Sequence, residues 1–171
     1  MKSKKNIILW VDDEIDLLES HIIYLTDKGY SVITSNSGED AILYCNENVV
    51  DLVLLDEMMT GIDGIETLKR LKVVNPNLPI IMVTRNEEED LIEEALSEKI
   101  SYYLTKPVNP SQILIACKKV LDNKQIIEDA QIKKFLDYTR YLQNIDCNSL
   151  DYKGWAEEFQ TICDWSLIID N

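Results

Sequence analysis

The chain has 171 residues, 46% hydrophobic and 28% charged, with a formal net charge of −14. That length suits one domain of ordinary size plus an appendage, and the balance of apolar and charged residues excludes a disordered or low-complexity protein. The acidic excess is spread along the chain, with 12 Lys/Arg against 21 Asp/Glu in residues 1–121 and 5 against 10 in residues 122–171, so neither part offers the basic face that nucleic-acid phosphates require.

Met1 to Lys5 is basic and Ile7 to Val11 apolar, but the run stops at Asp12, too short for a signal-peptide core. No run reaches the ~18 apolar residues of a membrane span, so a cytoplasmic protein is expected. Strands are predicted near residues 6–11, 30–34, 51–55, 79–84 and 100–104. Between them lie predicted helices near 14–27, 38–47, 64–74 and 87–97. Gly29 is placed to stop the first, and Pro76 lies beyond the end of the third. Asn86 is the expected N-cap of the fourth, with Glu87, Glu88 and Glu89 at the positive end of its dipole. A further helix opens at Asn109 and Pro110, an N-cap followed by proline.

Strand and helix alternating at this spacing imply an α/β fold: a doubly wound, five-stranded parallel sheet in the flavodoxin-like order 2-1-3-4-5. Beyond Asp122 and Asn123 the pattern becomes purely helical. A long helix is expected near 124–145, with Ile126, Ile127, Ala130, Leu136 and Tyr141 along its apolar stripe, and a second near 151–169 with Trp155, Phe159 and Ile162 on one face. The expected division is therefore a domain over residues 1–121 and a two-helix extension over 122–171, serving as a linker or partial output module.

Four of the predicted strands end in a polar residue or pair: Asp12 and Asp13, Asp56, Thr84, and Lys106. In an open parallel sheet, ligands bind outside the carboxyl ends of the strands at the topological switch point, so these groups would meet there. Converging carboxylates repel one another, and a hard divalent ion relieves that. Mg²⁺ fits, because it is usually held by one or two carboxylates plus waters and phosphate oxygens. Asp56, alone on its strand, is the expected nucleophile for an aspartyl-phosphate. Asp12 and Asp13 would share the metal, while Thr84 and Lys106 would hold phosphoryl oxygens. Taken singly, Asp12 or Asp13 could also cap a helix starting near Glu14. His21 is the single histidine, and Cys45, Cys117, Cys147 and Cys163 contain no Cys-x-x-Cys pair, which points away from imidazole chemistry, zinc and a disulfide framework.

The strings Trp10-Val11-Asp12-Asp13-Glu14, Leu54-Leu55-Asp56-Glu57-Met58-Met59, Met82-Val83-Thr84 and Thr105-Lys106-Pro107 resemble the receiver domain of bacterial two-component response regulators, over roughly residues 5–121. The resemblance implies that Asp56 is the phosphoacceptor, that Asp13 and Asp56 bind Mg²⁺ directly, and that Asp12 acts through water. It further implies that the Met58 carbonyl completes the metal site, that Thr84 and Lys106 contact the phosphoryl group, and that Tyr103 is the aromatic switch residue. A sensor histidine kinase as donor, a homodimer on phosphorylation and a protein output partner follow from the same resemblance. Thr60 stands where the family usually has proline, and Arg85 where a small residue is usual, placing a cation able to shield the phosphoryl group or pair with it.

The whole chain also resembles the receiver and helical segment of PorX-type regulators, which carry a PglZ-class, alkaline-phosphatase-like C-terminal domain. The strings that carry this are Ile7 to Leu18, Leu55-Asp56-Glu57, Lys106 to Leu114 and Leu121-Asp122-Asn123, with a late Tyr152, Trp155 and Trp165. That resemblance implies a link to type IX secretion, and, with no phosphatase ligand set in 171 residues, either a piece of a longer protein or a short relative. The competing expectation is a Mg²⁺-dependent phosphohydrolase acting on small phosphate esters through the same aspartate. Such enzymes need a second acid or base near the nucleophile, which Met58 cannot be. No separate enzymatic activity is expected beyond self-phosphorylation and autodephosphorylation.

Overall fold

A computed structural model describes residues 5–85 and 100–143. Five parallel strands, β1 (Ile7–Val11), β2 (Ser31–Ser35), β3 (Leu52–Asp56), β4 (Ile80–Thr84) and β5 (Tyr102–Thr105), form one sheet in the order β2-β1-β3-β4-β5. β3 and β4 are buried along their whole length, as continuous apolar runs covered on both faces must be. Alternate residues serve opposite cores. Ile8, Trp10, Leu52, Leu54, Ile81 and Val83 pack with Ile113, Ala116 and Cys117 on one face, while Leu9, Val11, Val53, Leu55, Ile80 and Met82 pack with Ala41, Leu68 and Leu71 on the other.

The described helices are α1 (Glu19–Asp27), α2 (Gly38–Glu47), α3 (Gly64–Val74) and α4 (Pro110–Gln143). Ser37 caps α2 by accepting from the Asp40 amide, and Asp63 caps α3 by accepting from the Glu66 amide at 2.8 Å. The helix expected over 14–27 is divided. Residues Ile15–Leu18 form a 3₁₀ turn before α1 begins at Glu19, because the Asp12 carboxylate accepts from the Glu14 amide and the Asp12 carbonyl takes the Ile15 amide three residues on. Past α1, Gly29 adopts φ 101°, the left-handed conformation that glycine reaches without a Cβ penalty.

α4 runs unbroken through Asp122 and Asn123. The two helices expected on either side of those residues are one, since Asp and Asn cost only about 0.7 kcal/mol each in a helix interior. The chain divides after Lys124 into two compact units, residues 1–124 and 125–171. In the second, Ile126, Ile127, Ile132 and Leu136 are exposed. The helices expected at 87–97 and 151–169, the Asn86 cap, Cys147 and Cys163 lie outside the described residues.

Among the described residues, no helix is long and apolar enough to cross a membrane. Cys45 and Cys117 are free thiols, and burial pushes them up to about 11 and about 12. His21 is structural. Its Nε2 lies 3.0 Å from the Val108 carbonyl oxygen, and its ring meets Trp10 edge-on at 6.1 Å.

Candidate functional site

The strand order creates the site. β1 lies beside β3, with Trp10 opposite Leu54 and Val11 opposite Leu55, so Asp12, the residue after β1, comes level with Asp56 at the end of β3. On the other side of β3, Asp56 pairs with Val83 and Thr84 pairs with Thr105, which brings Thr84 and Lys106 to the same edge. Carboxylate oxygens of Asp12, Asp13 and Asp56 all lie within 4.8 Å of one another. Asp12, Asp56 and Thr84 are buried, and Asp13 is partly exposed.

Lys106 holds this acidic group together. Its Nζ lies 2.8 Å from Asp12 Oδ2 and 2.9 Å from Asp56 Oδ1, and its side chain is only 17% exposed. Its backbone amide donates to the Thr84 carbonyl at 2.6 Å, ahead of a cis Lys106–Pro107 bond. Burial raises the Asp56 carboxyl above the usual range; the Lys106 hydrogen bond and charge pull it down, Asp12 pushes it up, and the net displacement is upward. Burial pulls the Lys106 ammonium down, but its bonds to Asp12 and Asp56 outweigh that and leave it raised.

Neighbouring backbone fixes the other groups. Asp12 Oδ1 accepts from the Glu14 amide at 2.9 Å, but the 3₁₀ turn and α1 open on Glu14 and Leu18 with no side-chain cap, so neither Asp12 nor Asp13 is the helix cap the sequence allowed. Asp13 Oδ2 accepts from the Thr60 amide at 2.9 Å and so ties the loop after β3 to the end of β1. Gly64 opens α3 directly against β3. A Cβ there would stand 2.4 Å from the Asp56 carbonyl oxygen, and the Gly64 amide donates to the Glu57 carbonyl at 2.8 Å. The Met58 side chain is 62% exposed, beyond the end of β3. Tyr103 is half-buried against the core cluster that contains Ile80 and Met82.

Two contacts were not foreseen. The Thr84 hydroxyl donates to the carboxylate of Glu57, the residue after Asp56. Arg85 pairs with Glu14 at 2.5 Å, with the two side chains 65% and 52% exposed, so its guanidinium is already engaged at the rim. Glu57 and Glu14 both stand beside aspartates of the site in sequence, the one signal that could have brought them into view.

The donor set suits a magnesium ion. Three carboxylates against one ammonium leave two negative charges, and every converging donor is a hard oxygen. Asp12, Asp13 and Asp56 are the residues that could hold it. Carboxylate, hydroxyl and ammonium then surround a space where negative charge can be bound and neutralised.

A family model described as the response regulator receiver domain matches residues 8–118. The transcriptional regulatory protein ZraR of Escherichia coli is 36% identical over 121 residues, 71% of this chain and 27% of that protein. The alginate biosynthesis transcriptional regulatory protein AlgB of Pseudomonas syringae is 33% identical over 119 residues, 70% of this chain and 27% of that protein. The chain thus spans about a quarter of the length of these relatives. Among solved structures, a CheY-like response regulator receiver domain protein from Methanospirillum hungatei superposes with a TM-score of 0.69 at 27% identity, covering 71% of this chain and 98% of the other. The matched segment contains all of the sheet but Ile7, the three aspartates, Thr84 and Lys106, and the chain belongs to the response regulator receiver domain family of two-component signalling.

Proposed function

We propose that this chain receives a phosphoryl group on Asp56 from a sensor histidine kinase, with Mg²⁺ held by Asp12, Asp13, Asp56 and the Met58 carbonyl. The observation that carries this reading is the convergence of Asp12, Asp13 and Asp56, with the Lys106 ammonium bridging Asp12 and Asp56. When bound, the metal supplies charge neutralisation for the carboxylates and for phosphoryl oxygens. A carboxylate oxygen of Asp56 forms the new bond to phosphorus while the donor's phosphorus–nitrogen bond breaks and nitrogen leaves with the electron pair. Lys106, already against Asp56, neutralises charge on the equatorial oxygens, and the Thr84 hydroxyl donates to another.

Phosphorylation then shifts a two-state equilibrium by the difference in the contacts it makes in each state. Thr84 and Tyr103 are the proposed switch residues, standing on the adjacent strands β4 and β5. The proposed consequences are homodimerisation and altered affinity for a protein output partner, supported by the exposed Ile126, Ile127, Ile132 and Leu136. A cytoplasmic location, a PorX-type setting and the link to type IX secretion rest on the sequence resemblance. ZraR and AlgB are transcriptional regulators by name, but the alignment covers 27% of each, and for the residues of this chain themselves the acidic balance supports a protein contact rather than nucleic acid.

The test is incubation with phosphoramidate and Mg²⁺, followed by assay of a hydroxylamine-sensitive acyl phosphate. Phosphorylation of the wild type and none of Asp56→Asn is expected. Light scattering with and without beryllofluoride then reads the dimer, and tight binding to random duplex DNA at moderate salt would overturn the protein-output reading.

A further inference from the structure

Thr84 is buried at the end of β4, and its hydroxyl is spent on Glu57, a half-buried carboxylate that follows the phosphoacceptor directly. That carboxylate is the fourth around the site, after Asp12, Asp13 and Asp56, and Lys106 is shared between Asp12 and Asp56. We propose that Glu57 gates phosphoryl binding, its carboxylate taking the Thr84 hydroxyl that a phosphoryl oxygen would otherwise receive. This rests on the reading of Asp56 as phosphoacceptor.

The physical reason is competition for one donor. A hydroxyl has a single proton to give, so while it points at Glu57 it cannot also point at a phosphoryl oxygen. A phosphoryl group arriving at Asp56 brings negative charge towards Glu57, and like charges at short range in a partly buried site repel. The population able to bind is therefore the fraction in which Glu57 has let go, and apparent affinity falls by that fraction. Glu57 thus acts as a positioning residue, through Thr84. The bonds made and broken at phosphorus are unchanged by it.

Beryllofluoride with Mg²⁺ is the probe, titrated against the full chain and followed by Trp fluorescence or calorimetry, since it forms a phosphoryl mimic without turnover. Glu57→Ala should tighten apparent beryllofluoride binding about tenfold, and Glu57→Gln should move it in the same direction, because the amide keeps the shape and loses the charge. In a Thr84→Ala background the gain from Glu57→Ala should shrink to less than about threefold, because no hydroxyl remains to be released. Thermal melting of each variant checks that it is folded, and Thr84→Ser serves as the conservative background if Thr84→Ala is not. In that background the full tenfold gain is expected. Unchanged affinity in Glu57→Ala, or an undiminished gain with the hydroxyl absent, would overturn the gate. If the wild type binds no beryllofluoride and takes no phosphoryl group from phosphoramidate, the phosphoacceptor reading fails instead.

Discussion

Lys106 Nζ stands 2.9 Å from Asp56 Oδ1, an ammonium and a carboxylate that are both largely shielded from water. Removing one partner of a buried ion pair leaves an uncompensated charge and costs about 3–5 kcal/mol. Lys106→Ala should therefore lower stability at pH 7 by an amount near the bottom of that range, because Asp56 can escape by taking up a proton. Chemical denaturation of the metal-free protein measures it. A loss below about 1 kcal/mol would show that Lys106 is not what neutralises the cluster.

The pH dependence of Asp56 follows from its raised carboxyl. The native state holds this proton more tightly than the unfolded chain does. Its stabilising contribution is therefore complete below the unfolded carboxylate range and is lost as pH rises through the higher native value. Asp56→Asn removes the cost of the buried charge, and Lys106 is not left uncompensated because it keeps its pair with Asp12 at 2.8 Å. In EDTA it should melt above the wild type at pH 7, with the gap closing towards pH 4. A gap that widens on acidification would reverse the assignment.

Metal binding should stabilise the fold in a way that depends on Asp13. Saturating Mg²⁺ at about 100 times its dissociation constant contributes about 2.7 kcal/mol, read as a rise in melting temperature. Trp10, buried two residues before Asp12, offers an optical report of the same event. Asp13→Ala should weaken the metal at least tenfold. The same substitution frees the Thr60 amide, so the loop after β3 should show faster amide exchange even without metal.

Gly64 and Arg85 make a contrasting pair. Gly64→Ala puts a Cβ 2.4 Å from the Asp56 carbonyl oxygen, backbone that cannot step aside, and should cost about 2 kcal/mol or more. The Arg85–Glu14 pair is exposed and contributes about 0.5 kcal/mol or less. Arg85→Ala should accordingly leave the melting temperature nearly unchanged while shortening the phosphorylated half-life, because it removes the cation at the rim of the site that would hinder water. An unchanged half-life would dispose of shielding, and would fit an Arg85 whose charge stays committed to Glu14.

The sheet was legible because buried parallel strands read as apolar runs with a polar residue at the carboxyl end, and their order follows from alternation with helices. Gly29 and Pro110 marked helix ends through local chemistry, while the Ser37 and Asp63 caps of α2 and α3 emerged only with the structure. The 3₁₀ turn at Ile15–Leu18 escaped because the Asp12 carboxylate joins the cluster and takes the Glu14 amide at once, which residue pattern alone does not reveal. The pairs Glu57 with Thr84 and Glu14 with Arg85 lie 27 and 71 residues apart. Which of several carboxylates near one hydroxyl takes its proton depends on side-chain rotamers, and those are set only once the strands are assembled. The continuity of α4 escaped for the opposite reason: Asp122 and Asn123 look like a boundary, yet their helix cost is small beside the burial of Ile113, Cys117 and Val120 on the same helix.

Locating the phosphoryl group by mass spectrometry bears on all of this at once. The protein is treated with phosphoramidate and Mg²⁺ and reduced with borohydride, which converts an aspartyl-phosphate to homoserine, and its peptides are then sequenced. Homoserine at position 56 of the wild type, dependent on Mg²⁺ and absent from Asp56→Asn, is the expected result. Modification at another residue, or an unmodified position 56 in folded, Mg²⁺-loaded wild type, would contradict it.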